Sequence, residues 1–235
     1  MKQIIIVLTL IFTLGVSAQT KSDLLKHYEA YYKEMRLQGD TQGIINAITH
    51  LNVLSPSNSR KDTLAFLYAN GNQHMQAMRT IGVDTKDSDS DLAVQVRAMS
   101  LKALGQTKRA IAQFEILNKR TPNTFIAYEL ADLKIQSGDK EGANSNIEYG
   151  LANATDEMKY AFYERQQPYE VPIKAAFLHL KGLVKYNNDQ ANPDAALALI
   201  EEALAMAPNF NLAGLSKQAI EARKTQETTT EEEKK

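Results

Sequence analysis

The sequence contains no cysteine and no tryptophan among its 235 residues. Without cysteine the chain forms no disulfides and offers no thiol for lipid attachment behind a leader segment. It also lacks the thiolate ligand that many zinc sites use. We therefore expect stability to come from packing alone, with no bound metal and no cofactor.

The sequence also lacks an excess of either charge, because 27 basic residues face 28 acidic ones and the formal net charge is −1. These charges are interspersed along the chain. A polypeptide of this kind has no long-range field that would draw it to nucleic acid. We therefore expect no nucleic-acid partner.

Sequence motifs for catalysis are missing as well. None of G-x-G-x-x-G, G-x-x-x-x-G-K-[ST] or G-x-S-x-G occurs, so the usual marks of nucleotide binding and serine hydrolysis are absent. The acidic stretch "DTKDSDSD" at residues 84–91 lacks the glycine and the closing glutamate of a calcium loop. We interpret it as a solvated linker in which Asp91 caps the next helix, and we do not expect an enzyme. The four histidines are far apart in the sequence: His27, His50, His74 and His179.

The first eighteen residues differ in kind from the rest. Lys2 precedes an apolar run at residues 4–14, and Val16 and Ala18 stand at the −3 and −1 positions of a cut before Gln19. This layout is typical of a secretory signal peptide. The alternative, a transmembrane anchor, needs about 20 apolar residues. We predict a periplasmic or secreted protein that is not integral to the membrane after cleavage.

The other end of the chain, residues 224–235, contains no apolar residue. We predict a disordered polar tail there, with an interaction tail as the alternative. The remaining residues, 19–223, form the folded region.

Within that region four glycines recur at intervals of 32, 34 and 33 residues: Gly39, Gly71, Gly105 and Gly138. Similar residues follow them. Ala110 and Ala143 lie five positions after their glycines, Phe114 and Ile147 lie nine positions after, and Pro122 lies seventeen after. The first unit has its matching residues at Ile44, Ile48 and Pro56, and the last has Ala196, Ile200, Ala203 and Pro208.

This pattern resembles the tetratricopeptide repeat (TPR) family over roughly residues 22–222. The resemblance implies an all-α fold, an α-solenoid coiled as a right-handed superhelix of about five helix-turn-helix repeats. Glycine would end the first helix of each pair, and proline would end the second. The family's tryptophan is missing, and the unit at residues 58–85 is degenerate, with Gln76 at the small position.

An insert at residues 156–172 breaks the spacing by about twenty residues. We predict a helix over residues 156–166, capped by Thr155 or Asp156, followed by an extended link forced by Pro168 and Pro172. Its aromatic residues either fill the seam between repeats or form a binding element. The binding candidates in the insert are Tyr160, Phe162, Tyr163, Arg165 and Tyr169.

The resemblance implies a protein–protein interaction scaffold of the bacterial cell envelope, which binds a partner segment on its concave face. The alternatives are a self-assembling structural protein and an accessory subunit of an envelope enzyme, and an oligomer is compatible with each. In the family the first helix of each pair lines that face. By register, the partner-binding candidates are Glu29, Lys33, Arg36, Lys61, Tyr68, Gln95, Met99, Lys102, Tyr128, Asp132, Lys181 and Lys185.

Overall fold

A computed structural model of the chain describes residues 20–232, with side chains described as far as residue 226. The predicted signal peptide lies outside the described residues. Two compact units divide the chain, one up to Asp84 and the other from Thr85 onward. Within the described part, no helix is both long enough and apolar enough to span a membrane.

The first unit consists of two antiparallel helix pairs. Its helices are α1 (Lys21–Gln38), α2 (Thr41–Leu54), α3 (Asn58–Asn70) and α4 (His74–Ile81). Thr20 begins α1 with a capping box. Its hydroxyl accepts a hydrogen bond from the Asp23 backbone N–H, and the Asp23 carboxylate accepts one from the Thr20 backbone N–H. A small core of Ile45, Ile48 and Leu64 joins the pairs.

The second unit contains three further pairs, a β-hairpin and a terminal helix. Its elements are α5 (Asp91–Ala103), α6 (Thr107–Arg120), α7 (Thr124–Ser137), α8 (Lys140–Asn153), β1 (Lys159–Phe162), β2 (Tyr169–Pro172), α9 (Ile173–Asn188), α10 (Asp194–Met206) and α11 (Asn211–Glu232). Helix α11 packs on α10 and places Ala213 and Ile220 in the core. An unpaired last helix of this kind closes the apolar side of a repeat array.

Glycines follow the ends of the first helices at all four predicted turns. Gly39, Gly105 and Gly138 have left-handed backbones, with φ of 69°, 70° and 83°. At the second turn Gly71 caps the helix with φ −85°, and the left-handed conformation is taken instead by the next residue, Asn72, at φ 57°. Asparagine is the residue that most often replaces glycine there.

This one-residue shift also corrects the small position of the second repeat. Ala77, five residues after Asn72, is fully buried, whereas Gln76 is exposed. Ala110, Ala143 and Ala196 occupy the same place in later repeats and are also buried. The degenerate repeat therefore keeps the packing pattern with one residue added to its turn. Proline ends the second helices as predicted, with α2, α6 and α10 each stopping two residues before Pro56, Pro122 and Pro208.

The prediction of a helix at residues 156–166 is wrong, because this segment contains β1 of an antiparallel hairpin. Lys159 pairs with Pro172, and Phe162 pairs with Tyr169. Alternation explains the difference: Tyr160 and Phe162 lie two apart, so a strand places both rings on one face. Phe162 is buried against Phe210 at 4.9 Å between ring centroids. The extended link before α9 is present as β2.

The acidic linker is held against the second unit rather than solvated along its length. Ser90, not Asp91, caps α5, because its hydroxyl accepts from the Ala93 backbone N–H. Asp91 instead pairs with Arg120 at 2.9 Å. The carboxylate of Asp89 pairs at 3.0 Å with the guanidinium of Arg97, which is fully buried. The linker therefore supplies the counter-ion of a buried charge.

The backbone of α11 is helical as far as Glu232, within the segment that we predict to be disordered. The helix propensity of the acidic and basic residues there is compatible with helix in solution. The disorder of the tail stays a prediction.

His179 on α9 is a buried, uncharged histidine. Its Nε2 lies 2.9 Å from the Ser216 hydroxyl on α11, and its ring meets Phe210 edge to face. Burial lowers the pKa of His179 to about 4. An unfolded histidine titrates near pH ~6.5, so the unfolded chain takes up this proton first as the pH falls.

Replacing His179 with methionine should remove one acid-sensitive contribution to stability. Because the folded pKa lies below the unfolded one, the histidine contributes fully above pH ~6.5 and progressively less toward pH 4. Between pH 6.5 and pH 5 the free energy of unfolding of the wild type should fall by about 2 kcal/mol more than that of His179→Met. Urea titrations at each pH measure this difference. Parallel profiles for the two proteins would contradict the prediction.

Candidate functional site

The second unit contains a groove between α5 and α7, with α6 as its floor. Its volume is about 530 Å³. Helix α5 contributes Asp91, Gln95 and Met99, which are four residues apart and therefore lie along one face. Phe114 and Leu117 of α6 form the buried apolar floor. The groove is thus an apolar channel, and its α5 wall also carries the polar residues Asp91 and Gln95.

Helix α7 forms the opposite wall through Phe125, Ile126 and Glu129. Phe125 is 44% exposed, and Met99 of α5, which also lines the groove, is 37% exposed. Large apolar side chains that stay in contact with water on both walls of a channel are typical of binding surfaces. The groove is therefore suited to apolar side chains of a partner.

A polar cluster adjoins the α7 wall, where two carboxylates share one ammonium group. The Lys102 Nζ atom lies 2.5 Å from Glu129 Oε2 and 3.7 Å from Asp132 Oδ2. Burial alone would lower the pKa of Lys102, but the two carboxylates raise it above its ordinary value. Burial raises the pKa of Asp132, although the ammonium opposes this. Lys102 therefore stays charged, and Asp132 is the less well neutralised carboxylate.

Glu129 also connects this cluster to the hairpin. The Tyr160 hydroxyl donates a hydrogen bond of 2.5 Å to Glu129 Oε1. Burial, together with the Glu129 charge, raises the pKa of Tyr160 well above its ordinary value, so the hydroxyl keeps the proton it donates. Both oxygens of Glu129 are thus engaged, one by α5 and the other by β1.

The structure brings together four of the residues that the repeat register predicted. Gln95 and Met99 line the groove, and Lys102 and Asp132 form the polar cluster beside it. Tyr128, also predicted, is buried, and its ring packs at 4.1 Å on Tyr160. Because only 4% of Tyr128 is exposed, it offers a partner little surface, and its role in binding stays a prediction.

The other predicted residues lie elsewhere. In the first unit Glu29, Lys33, Arg36 and Lys61 are exposed, while Tyr68 is half-buried against the small core. Lys181 is half-buried and Lys185 is exposed on α9, and neither lines the groove. Partner binding by these residues stays a prediction.

The aromatic residues of the insert divide into two groups. Tyr160, Phe162 and Tyr169 pack within the core of the second unit, which is the seam-filling arrangement. Tyr163 and Arg165 are exposed at the hairpin tip. The Tyr169 hydroxyl donates to Glu164, and burial together with this bond raises the pKa of Tyr169 to about 12. The tip therefore remains the part of the insert with a free surface.

Sequence reasoning missed Phe125 and Glu129, although both lie on α7 close to the predicted Asp132. The three residues are spaced at i, i+4 and i+7, which is one helical stripe. The register carried over from the family chose the neighbouring stripe through Tyr128. Phe125 lies outside the buried face of α7, and an apolar residue on the exposed face of an amphipathic helix is the sequence signal that could have identified it.

Comparison with known proteins defines the fold. No protein-family model matches the chain, and no curated protein matches it. Among solved structures, the crystal structure of MamA protein superposes with a TM-score of 0.59 at 16% identity, covering 79% of this chain and 92% of that one. A tetratricopeptide repeat protein from Parabacteroides merdae ATCC 43184 gives a TM-score of 0.44 at 16% identity, covering 88% and 73%.

The superposition on MamA and the succession of helix pairs confirm the predicted fold class, an all-α solenoid of TPR-like units. At this identity the likeness concerns the fold alone.

Proposed function

We propose that this chain is a protein–protein interaction scaffold whose second unit binds a segment of a partner in the α5–α7 groove. The observation that carries this proposal is the pair of exposed apolar walls, Met99 and Phe125, over a buried apolar floor. The TPR-like fold supports it in general terms, because stacked helix pairs present extended surfaces for other polypeptides.

The length of the groove indicates what kind of segment fits. The α5 residues from Asp91 to Met99 span eight helical steps, which is about 12 Å. An extended peptide advances about 3.3 Å per residue, so three or four residues fill the groove. Two alternating side chains of such a segment would reach the floor, and the polar ends of the groove would meet its backbone.

Removing the two apolar walls should abolish most of the binding. The double variant Met99→Ala with Phe125→Ala should reduce partner capture from an envelope extract at least about tenfold, since each apolar anchor contributes about 1 kcal/mol or more. The matched control is Met75→Ala with Tyr149→Ala, whose side chains are 52% and 36% exposed outside the groove. The control should capture as the wild type does. Equal capture by all three proteins would reject the groove as the binding surface.

We further propose that the scaffold works in the bacterial cell envelope, as a periplasmic or secreted protein released by cleavage after Ala18. The layout of residues 1–18 supports this location. Sequencing of the N-terminus of the protein purified from the envelope should give Gln19 first. A chain that retains Met1 there would contradict the proposal.

A further inference from the structure

We propose that the segment bound in the groove carries a lysine or arginine beside its apolar side chains, and that this cation pairs with Glu129 and Asp132 on α7. This inference rests on the proposed function. The groove would then select a basic, apolar class of peptide.

The balance of charge at the α7 wall is the first reason. Glu129 and Asp132 lie three residues apart on α7 and therefore point to the same side of the helix. They share the single ammonium of Lys102, at 2.5 and 3.7 Å. Two carboxylates and one ammonium leave one negative charge, which a partner cation would neutralise.

The unequal sharing of that ammonium is the second reason. Glu129 is fully engaged, by Lys102 on one oxygen and by Tyr160 on the other. The Asp132 carboxylate lies beyond hydrogen-bond distance of Lys102 and accepts a bond of 3.0 Å from the neutral Gln136 side chain. Burial raises its pKa, which is the mark of a carboxylate that its surroundings under-stabilise. A second cation would therefore stabilise the carboxylate of Asp132 more than that of Glu129.

The opposite end of the groove gives the bound segment a direction. There Asp91 is paired with Arg120 at 2.9 Å, so the charges at that end cancel. The excess negative charge lies toward the C-terminal end of α7, at Asp132, about 10 Å along the helix from Phe125. In an extended segment this distance corresponds to about three residues. The cation should therefore stand about three positions from the side chain that contacts Phe125.

A positional-scanning library of terminally blocked hexapeptides tests this inference with defined probes. Binding to the immobilised full chain should favour lysine or arginine over glutamate at one position by about tenfold, with apolar residues favoured about three positions away. Asp132→Asn should reduce the basic preference to about twofold and keep the apolar one. Asp87→Asn, in an exposed loop, should leave both preferences unchanged.

A second variant acts in the opposite direction. Lys102→Met removes the internal competitor for the two carboxylates, so basic peptides should bind several-fold more tightly than to the wild type. A merely structural role of the cluster predicts weaker binding of all peptides. Selection of apolar residues with no basic preference would overturn the inference and leave groove binding intact. If the wild type selects peptides no better than the double variant Met99→Ala with Phe125→Ala, groove binding itself is overturned.

Discussion

Replacing Asp89 with alanine should destabilise the second unit by about 3 kcal/mol, which is the loss expected when a buried charge loses an ion-pair partner. The Arg97 guanidinium is fully buried, and the Asp89 carboxylate lies 3.0 Å from it. Gln113 adds a weaker bond of 3.3 Å through its side-chain oxygen, which is neutral. Chemical unfolding monitored by circular dichroism measures the loss.

Two controls separate this ion pair from general damage to the linker. Asp87→Ala changes an exposed residue of the same loop and should alter stability by less than about 0.5 kcal/mol. The double variant Asp89→Ala with Arg97→Met should recover much of the loss, since methionine removes the buried charge itself. A double variant that is less stable than Asp89→Ala alone would contradict the proposed role of the pair.

Replacing Gly150 with alanine should destabilise the second unit by about 3 kcal/mol, although alanine is the better helix former. Gly150 lies in α8 directly under the ring of Phe177, which is fully buried. An added Cβ would lie 2.0 to 2.4 Å from three ring carbons, so α9 would have to move away from α8. Because dense interiors resist such movement, the clash outweighs the gain in helix propensity.

Gly214 provides a control in which the same substitution should have the opposite sign. It lies in α11, and an added Cβ there would meet nothing within 4 Å. Gly214→Ala should therefore stabilise the protein by up to about 1 kcal/mol through helix propensity alone. Thermal unfolding of both variants beside the wild type gives the comparison. Similar shifts in the same direction would show that the Phe177 contact is not the cause.

The repeat architecture could be predicted because its signals are local. Glycine at the left-handed turns and proline after the second helices act through their own backbones, and their spacing alone reveals the period. The exception at Asn72 has the same physics, since asparagine tolerates the left-handed region better than most residues. Small residues facing neighbouring helices recur with that period, so the packing surface could be predicted as well.

The hairpin and the groove could not be predicted in the same way. The segment around Tyr160 and Phe162 is compatible with helix or strand. The strand is favoured because it brings Phe162 into contact with Tyr128 and Phe210, which lie far away in the sequence. Likewise Glu129 gains its role from Lys102, which is 27 residues away. Such non-local contacts leave no spacing signal in a single sequence.

The interaction scaffold is the central claim, and site-specific photocross-linking tests it most directly. A benzophenone amino acid would replace Phe125 in the groove and, as a matched control, Tyr149 on α8, both of which are partly exposed aromatic residues. Cross-linking in the producing cells should give a discrete adduct with another protein from position 125 and none from position 149. An adduct of twice the mass of the mature chain would instead indicate self-assembly. Adducts of equal yield from both positions, or no adduct from position 125, would contradict the account.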